Sequence, residues 1–227
     1  MSLATGDRPG GLRKIRSTYQ RYRYAILFYT LLLTMVAAPL FAAFEFAGAL
    51  IDFFLAANLL AAVVPASTRK GRRILLAMVM VVWLARPVTA WLNHPAISAV
   101  TLGAWTLIGL FAAAGALRFA MRAKVVDTEH LFAALSAYLL AGIFFGLFYW
   151  VIEQIGPGSF SASGEFSRMS ALYFSFVTLA TLGYGDIVPR GDLARGLAIV
   201  EAVGGQLFLV VLVARLVSLW GRKDGGA

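Results

Sequence analysis

Long apolar runs separated by short polar or basic turns set the rhythm of this 227-residue chain. They predict helices over about 24–44, 47–65, 72–92, 96–120, 129–153 and 191–220. Each is close to the length that crosses ~30 Å of hydrocarbon at ~1.5 Å per residue. The pattern changes between the fifth and sixth runs. Gly156-Pro157-Gly158 and the Ser/Gly-rich stretch to Gly164 read as an exposed turret. Residues 167–179 read as an amphipathic helix of about three turns, too short to cross. The expected fold is an all-α integral membrane protein with six crossings and one re-entrant helix and loop. Non-helical backbone at that depth has to be shielded by protein or to line a water-filled path.

Residues 1–23 are polar and basic, with Pro9 and Gly10-Gly11, and suit a mobile start followed by a short interfacial helix. Tyr19, Tyr22 and Tyr24 would sit at headgroup level. The first apolar run, Tyr24 to Phe44, is longer than the core of a signal peptide, so cleavage at its Ala pairs is disfavoured. The chain divides into a basic cytoplasmic start (1–23), a peripheral four-helix module (24–120), a second unit (121–221) and a short tail (222–227).

Composition agrees with the pattern. Hydrophobic residues make up 60% of the chain and charged ones 14%, more apolar surface than a soluble core of this size requires. There is no cysteine, hence no disulfide or thiolate-metal framework. The net charge of +9 is concentrated in four stretches: Arg8 to Arg23, Arg69 to Arg73, Arg118 to Lys124, and Arg215 to Lys223. They alternate with loops poor in Lys and Arg, the positive-inside pattern, which puts both termini in the cytoplasm. Attraction to anionic lipid on that side explains the charge better than binding to nucleic acid.

One stretch has chemistry that burial does not explain: Thr181-Leu182-Gly183-Tyr184-Gly185-Asp186. Two glycines flanking a tyrosine suit a backbone that alternates into conformations closed to ordinary residues. Such a loop can turn a row of carbonyls towards one axis and replace the water shell of a cation, with the Thr181 hydroxyl at its inner end. With Tyr173-Phe174-Ser175 and Thr178 before it, Pro189 after it and a glycine pair in the next helix, this motif resembles the filter of prokaryotic six-transmembrane potassium channels. The resemblance covers about 130–220. It implies K+ as the permeant ion at Thr181, Leu182, Gly183, Tyr184 and Gly185, no cofactor, and a location in a prokaryotic plasma membrane. A ring of carbonyls needs several such loops and this chain has one. Oligomerisation follows, and the family's form is a four-fold homotetramer.

On that resemblance Asp186 belongs to the filter's support. Tyr173, Phe174 and Phe176 form a cuff on the short helix, whose C-terminal end presents partial negative charge to a waiting cation. Leu182 stands where valine is usual, its side chain expected in the wall. Val177 stands where several relatives carry a carboxylate that partners the filter aspartate. Gly205, beside Gly204, occupies the hinge position, and Gln206 faces the cavity. Glu201 is an ionisable group within a membrane helix. It reads either as a protonated hydrogen-bonding group behind the filter or as a satisfied structural carboxyl.

Helices 24–120 occupy the place of a voltage sensor, yet no Lys or Arg lies between Ala96 and Leu117. The ladder that moves charge across the field is missing, so steep voltage gating is not expected. Asp52 and Arg86 fall at similar depth on sequential helices, with Pro87 beside the arginine, and are expected to pair as a structural bridge, the alternative being a ligand or proton site. Seven residues follow Trp220, and an appended cytoplasmic sensing domain is not expected. No nucleophile-base set, metal cluster or phosphate loop suggests an enzyme. The competing readings are a weakly selective cation pore, favoured by Leu182, a monomeric transporter, and a non-conducting scaffold with a vestigial filter.

Overall fold

The computed structural model describes residues 10–41, 47–66, 73, 76–85, 95–122 and 127–224. The elements run in the order α1 (Gly10–Phe41), α2 (Ala47–Ala66), α3 (Leu76–Ala85), α4 (Pro95–Met121) and α5 (Thr128–Ile155). They continue with β1 (Phe160–Ala162), α6 (Arg168–Leu179), β2 (Ile187–Pro189) and α7 (Asp192–Asp224). Among the described residues, Ile97–Met121, Thr128–Ile155 and Asp192–Ser218 are long and apolar enough to cross a membrane. Helices α1, α2 and α3 contribute shorter apolar stretches, Tyr22–Ala37, Asp52–Ala61 and Leu76–Ala85.

Helix α1 begins at Gly10, inside the basic stretch, and breaks its helical geometry at Tyr22 (φ −123°, ψ 16°). The backbone therefore changes direction close to the predicted junction between interfacial and membrane segments. Helix α5 starts where Asp127 accepts from the His130 amide at 3.0 Å, with Glu129 in the first turn to complement the helix dipole. It stops at Gly156, whose amide returns to the Ile152 carbonyl at 2.8 Å. Ser167 caps α6 by accepting from Ser170 N at 3.1 Å.

The core forms around α5. Helices α1 and α4 pack along one side of it, and α2 fills in against both. Leu27, Leu59, Trp105, Leu140 and Phe144 are fully buried there. Polar ties lock the packing: Asn58 of α2 accepts from Thr30 at 2.5 Å and donates to Thr34 at 3.1 Å, both on α1. Just past the kink of α1, the Tyr24 amide donates to Glu129 of α5 at 3.1 Å. The Tyr24 ring stacks on Phe119 of α4, which stacks in turn on His130. Helix α6 approaches the opposite side of α5 at Gly146, where a side chain would come within 2.8 Å of the Leu172 Cα.

The stretch between α5 and α6 departs from the exposed turret expected of it. Strands β1 and β2 pair antiparallel, Phe160 opposite Pro189. Phe160 is only 6% exposed, stacks on Phe166 at 4.5 Å and meets Tyr149 and Phe174 edge-on. Glu153 holds the turn by accepting from Gly158 N at 2.7 Å and Phe160 N at 3.1 Å. The glycines and serines make the turn; one aromatic side chain anchors it. Helix α7, by contrast, leaves most of its apolar span uncovered within one chain, with Ile199, Val203, Leu207, Val210 and Val217 all exposed.

Candidate ion-conduction site

Helix α6 ends at Leu179, and its last turn seeds the loop that follows. The Thr181 amide donates to the Thr178 carbonyl and the Leu182 amide to the Val177 carbonyl, each at 2.9 Å. Beyond them the backbone takes positive φ at every second residue: Thr181 (56°), Gly183 (57°) and Gly185 (80°). Alternating hand in this way brings successive carbonyls to one side, which is the geometry a dehydrated cation needs. A side chain at Gly183 or Gly185 would meet nothing within 4 Å inside one chain, so conformation rather than space demands glycine there. Thr181 holds the same hand at an expense of roughly 1–2 kcal/mol for a residue with a Cβ. The sequence disclosed the two glycines and gave no sign of this third left-handed position.

The inner end of the loop is held by α7. Gln206 Nε2 donates to Thr181 Oγ1 at 2.8 Å. One residue earlier, a Cβ on Gly205 would stand 2.4 Å from the Leu179 carbonyl oxygen, whereas one on Gly204 meets nothing within 4 Å. Helix α7 is helical through both glycines. In this conformation Gly205 permits close approach to the end of α6.

At the outer end, the Tyr173 ring lies parallel to that of Tyr184, centroids 6.4 Å apart. The expected cuff is thereby divided. Tyr173 faces the loop, Phe174 turns into the cluster of Tyr149 and Phe160, and Phe176 lies against α5 at Gly142. Leu182 and Tyr184 project with Val177 into an apolar cavity of about 560 Å³ that Thr34 and Met35 of α1 and Leu55 of α2 also line. Strand β2 begins directly after Asp186, so pairing with β1 closes the loop on that side.

Behind the loop lies a buried polar cluster. Glu201 of α7 is 1% exposed. Tyr149 of α5 donates to its Oε2 at 2.6 Å, and Ser175 Oγ of α6 lies 2.5 Å from its Oε1. The Ser175 hydroxyl also lies 2.7 Å from the Gly142 carbonyl of α5. One carboxyl thereby joins three helices.

Arg86 lies outside the described residues. Asp52 accepts from Arg168 Nη2 at 2.6 Å, a link between α2 and the first residue of α6 that sequence reasoning missed. The signal was there: a cation in the first turn opposes the helix dipole and calls for a carboxylate nearby. At the other end of the molecule, Arg215 of α7 hydrogen-bonds to the terminal carbonyl of α4 at Met121.

This loop, cradled by a short helix between two long apolar ones, lies within residues 133–220, which match the family model described as Ion channel. The inward rectifier potassium channel Kirbac3.1 of Paramagnetospirillum magnetotacticum is 37% identical over 93 residues, 39% of this chain and 29% of that protein. Protein LctB of Bacillus caldotenax is 30% identical over 105 residues, covering 43% of this chain and 78% of the relative. Two pore potassium channel c of Oryza sativa subsp. japonica is 37% identical over 91 residues, 39% of this chain and 18% of the relative. The matched stretch spans less than a third of the Kirbac3.1 and rice proteins. No solved structure matches significantly. The chain belongs to the ion-channel family. It is an integral membrane protein of that class.

Proposed function

We propose that the chain is a potassium-selective channel that conducts K+ passively, with four copies arranged around one axis. The observation that carries this reading is the alternation of positive φ at Thr181, Gly183 and Gly185 within Thr-Leu-Gly-Tyr-Gly-Asp. Carbonyls and the Thr181 hydroxyl from four such loops would form the ion sites at Thr181, Leu182, Gly183, Tyr184 and Gly185. The C-terminal ends of four α6 helices would add about half an elementary charge each, before screening, below them. The uncovered span of α7, with Leu182 and Tyr184 exposed in a single chain, supplies the apolar surface that neighbouring copies would bury.

In this reading six helices cross the membrane and both termini are cytoplasmic, with the basic ends against anionic lipid. Helices α1 to α4 act as a collar rather than a voltage sensor, because the basic residue of α4 is Arg118, in its last turn. A weakly selective cation pore is the nearest rival, and Leu182 in place of valine is what favours it. The test is the reversal potential of the purified protein in planar bilayers with K+ opposed to Na+. Reversal near the K+ equilibrium value supports selectivity, and reversal near zero supports the rival.

A further inference from the structure

Protons can be counted in the cluster behind the loop. Three oxygen–oxygen contacts are short enough to be hydrogen bonds: Tyr149 to Glu201 at 2.6 Å, Ser175 to Glu201 at 2.5 Å and Ser175 to Gly142 at 2.7 Å. Each such contact needs one proton between its oxygens. The two hydroxyls bring two, and the Gly142 carbonyl brings none. If Glu201 were a carboxylate, one contact would join two oxygens with no hydrogen between them. A third proton, on Oε1, completes the set. Glu201 then donates to Ser175, Ser175 donates to the Gly142 carbonyl, and Tyr149 donates to Oε2.

The surroundings agree. All three side chains are at most 1% exposed, and no cation pairs with Glu201 among the described residues. An isolated carboxylate buried in this way would carry a penalty of several kcal/mol, while a neutral acid with every hydrogen bond made does not. The titratable groups that face it are Tyr149 and, at longer range, Tyr138, both on α5. From α6 the facing group is the Ser175 hydroxyl, which does not titrate in this range.

We propose that Glu201 is a positioning residue held as a neutral carboxylic acid, whose proton fastens α6 to α5 and α7 behind the loop 181–185. Ser175 lies two residues before Val177, whose carbonyl receives the Leu182 amide. Any slip of α6 is therefore passed to the start of the ion sites. Removing the proton would leave two acceptors facing one Ser175 hydrogen and a buried charge between three helices. The positioning role rests on the channel reading; the protonation state does not.

Infrared difference spectra of the purified protein, wild type minus Glu201→Gln, read the protonation state whether or not the protein conducts. A protonated carboxyl C=O band at neutral pH, present in wild type and absent from the variant, is expected. Carboxylate bands alone would overturn the proposal. Glutamine reproduces the neutral pattern, its amide donating to Ser175 and accepting from Tyr149, so the variant is expected to assemble like wild type. Potassium flux into liposomes is then followed with rising pH. Wild-type flux is expected to fall in step with the loss of the C=O band, while Glu201→Gln holds its flux over the same range. Identical pH profiles would refute the positioning role. Absence of flux from both proteins would sink the channel reading and leave the infrared result to decide the proton.

Discussion

Arg168 Nη2 donates to Asp52 Oδ1 at 2.6 Å, joining the first residue of the short helix α6 to the peripheral helix α2. Both side chains are roughly three-quarters buried, at 26% and 21% exposure, so the pair is worth more than a surface bridge. Asp52→Asn or Arg168→Gln alone is expected to destabilise the protein by about 1–3 kcal/mol, the range for a hydrogen bond to a charged group. The double change should recover part of that loss, because neither charge is then stranded. Thermal unfolding in detergent, arranged as a double-mutant cycle, measures the coupling. Additive losses would show that the contact carries no energy of its own.

The adjacent glycines of α7 should behave in opposite ways. Gly204→Ala places its methyl in open space within the chain and should gain up to ~1 kcal/mol of helix stability. Gly205→Ala drives its methyl against the Leu179 carbonyl and should lose about 1–3 kcal/mol as an overpacked contact. Melting temperatures of the two variants provide the comparison. Equal tolerance at both positions would refute the close-approach role of Gly205.

At the start of α5, Asp127 is an N-cap at the polar boundary of the span. Burial pushes its carboxyl up, but hydrogen bonds from the His130 amide and ring outweigh that and leave it below the ordinary carboxylate value. A depressed folded value means stabilisation that is present above the usual carboxylate range and is lost as pH falls through the folded value. Asp127→Ala should lose about 1 kcal/mol at neutral pH. Asp127→Asn should keep most of the cap and show a flatter melting profile in acid. Parallel acid profiles for the Asp127→Asn variant and the wild-type protein would contradict the assignment.

The peripheral helices should not drive gating by voltage. One charge crossing the whole field is worth ~2.3 kcal/mol per 100 mV, or roughly fiftyfold in an open–closed equilibrium. The basic side chain of α4 sits only in its last turn. Open probability is expected to change by less than that factor per 100 mV, and a steeper activation curve would identify α1 to α4 as a working sensor.

Helix positions were legible because apolar runs of membrane length leave few alternatives, and α2, α4, α5 and α6 begin and end within about two residues of their predicted bounds. The loop was legible because Gly183 and Gly185 announce its backbone. Contacts made across the fold were less so. Phe160 looked like part of a polar turn, yet tertiary packing buries it beside Tyr149. Depth along the chain pointed from Asp52 to Arg86, which lies outside the described residues, and left the contact with Arg168, more than a hundred residues away, unforeseen. Thr181 carries no composition signal for its left-handed backbone, since the strain is set by the residues on either side.

The central claim is that four loops built from Thr181 to Asp186 select potassium. Single-channel recording of purified protein in planar bilayers, with K+ on one side and Na+ on the other, tests it most directly. The account predicts a reversal potential that follows the K+ gradient, with Na+ permeability at least about an order of magnitude lower and lost discrimination in Gly183→Asp. Reversal near zero in the wild-type protein, or unchanged selectivity in Gly183→Asp, would contradict it.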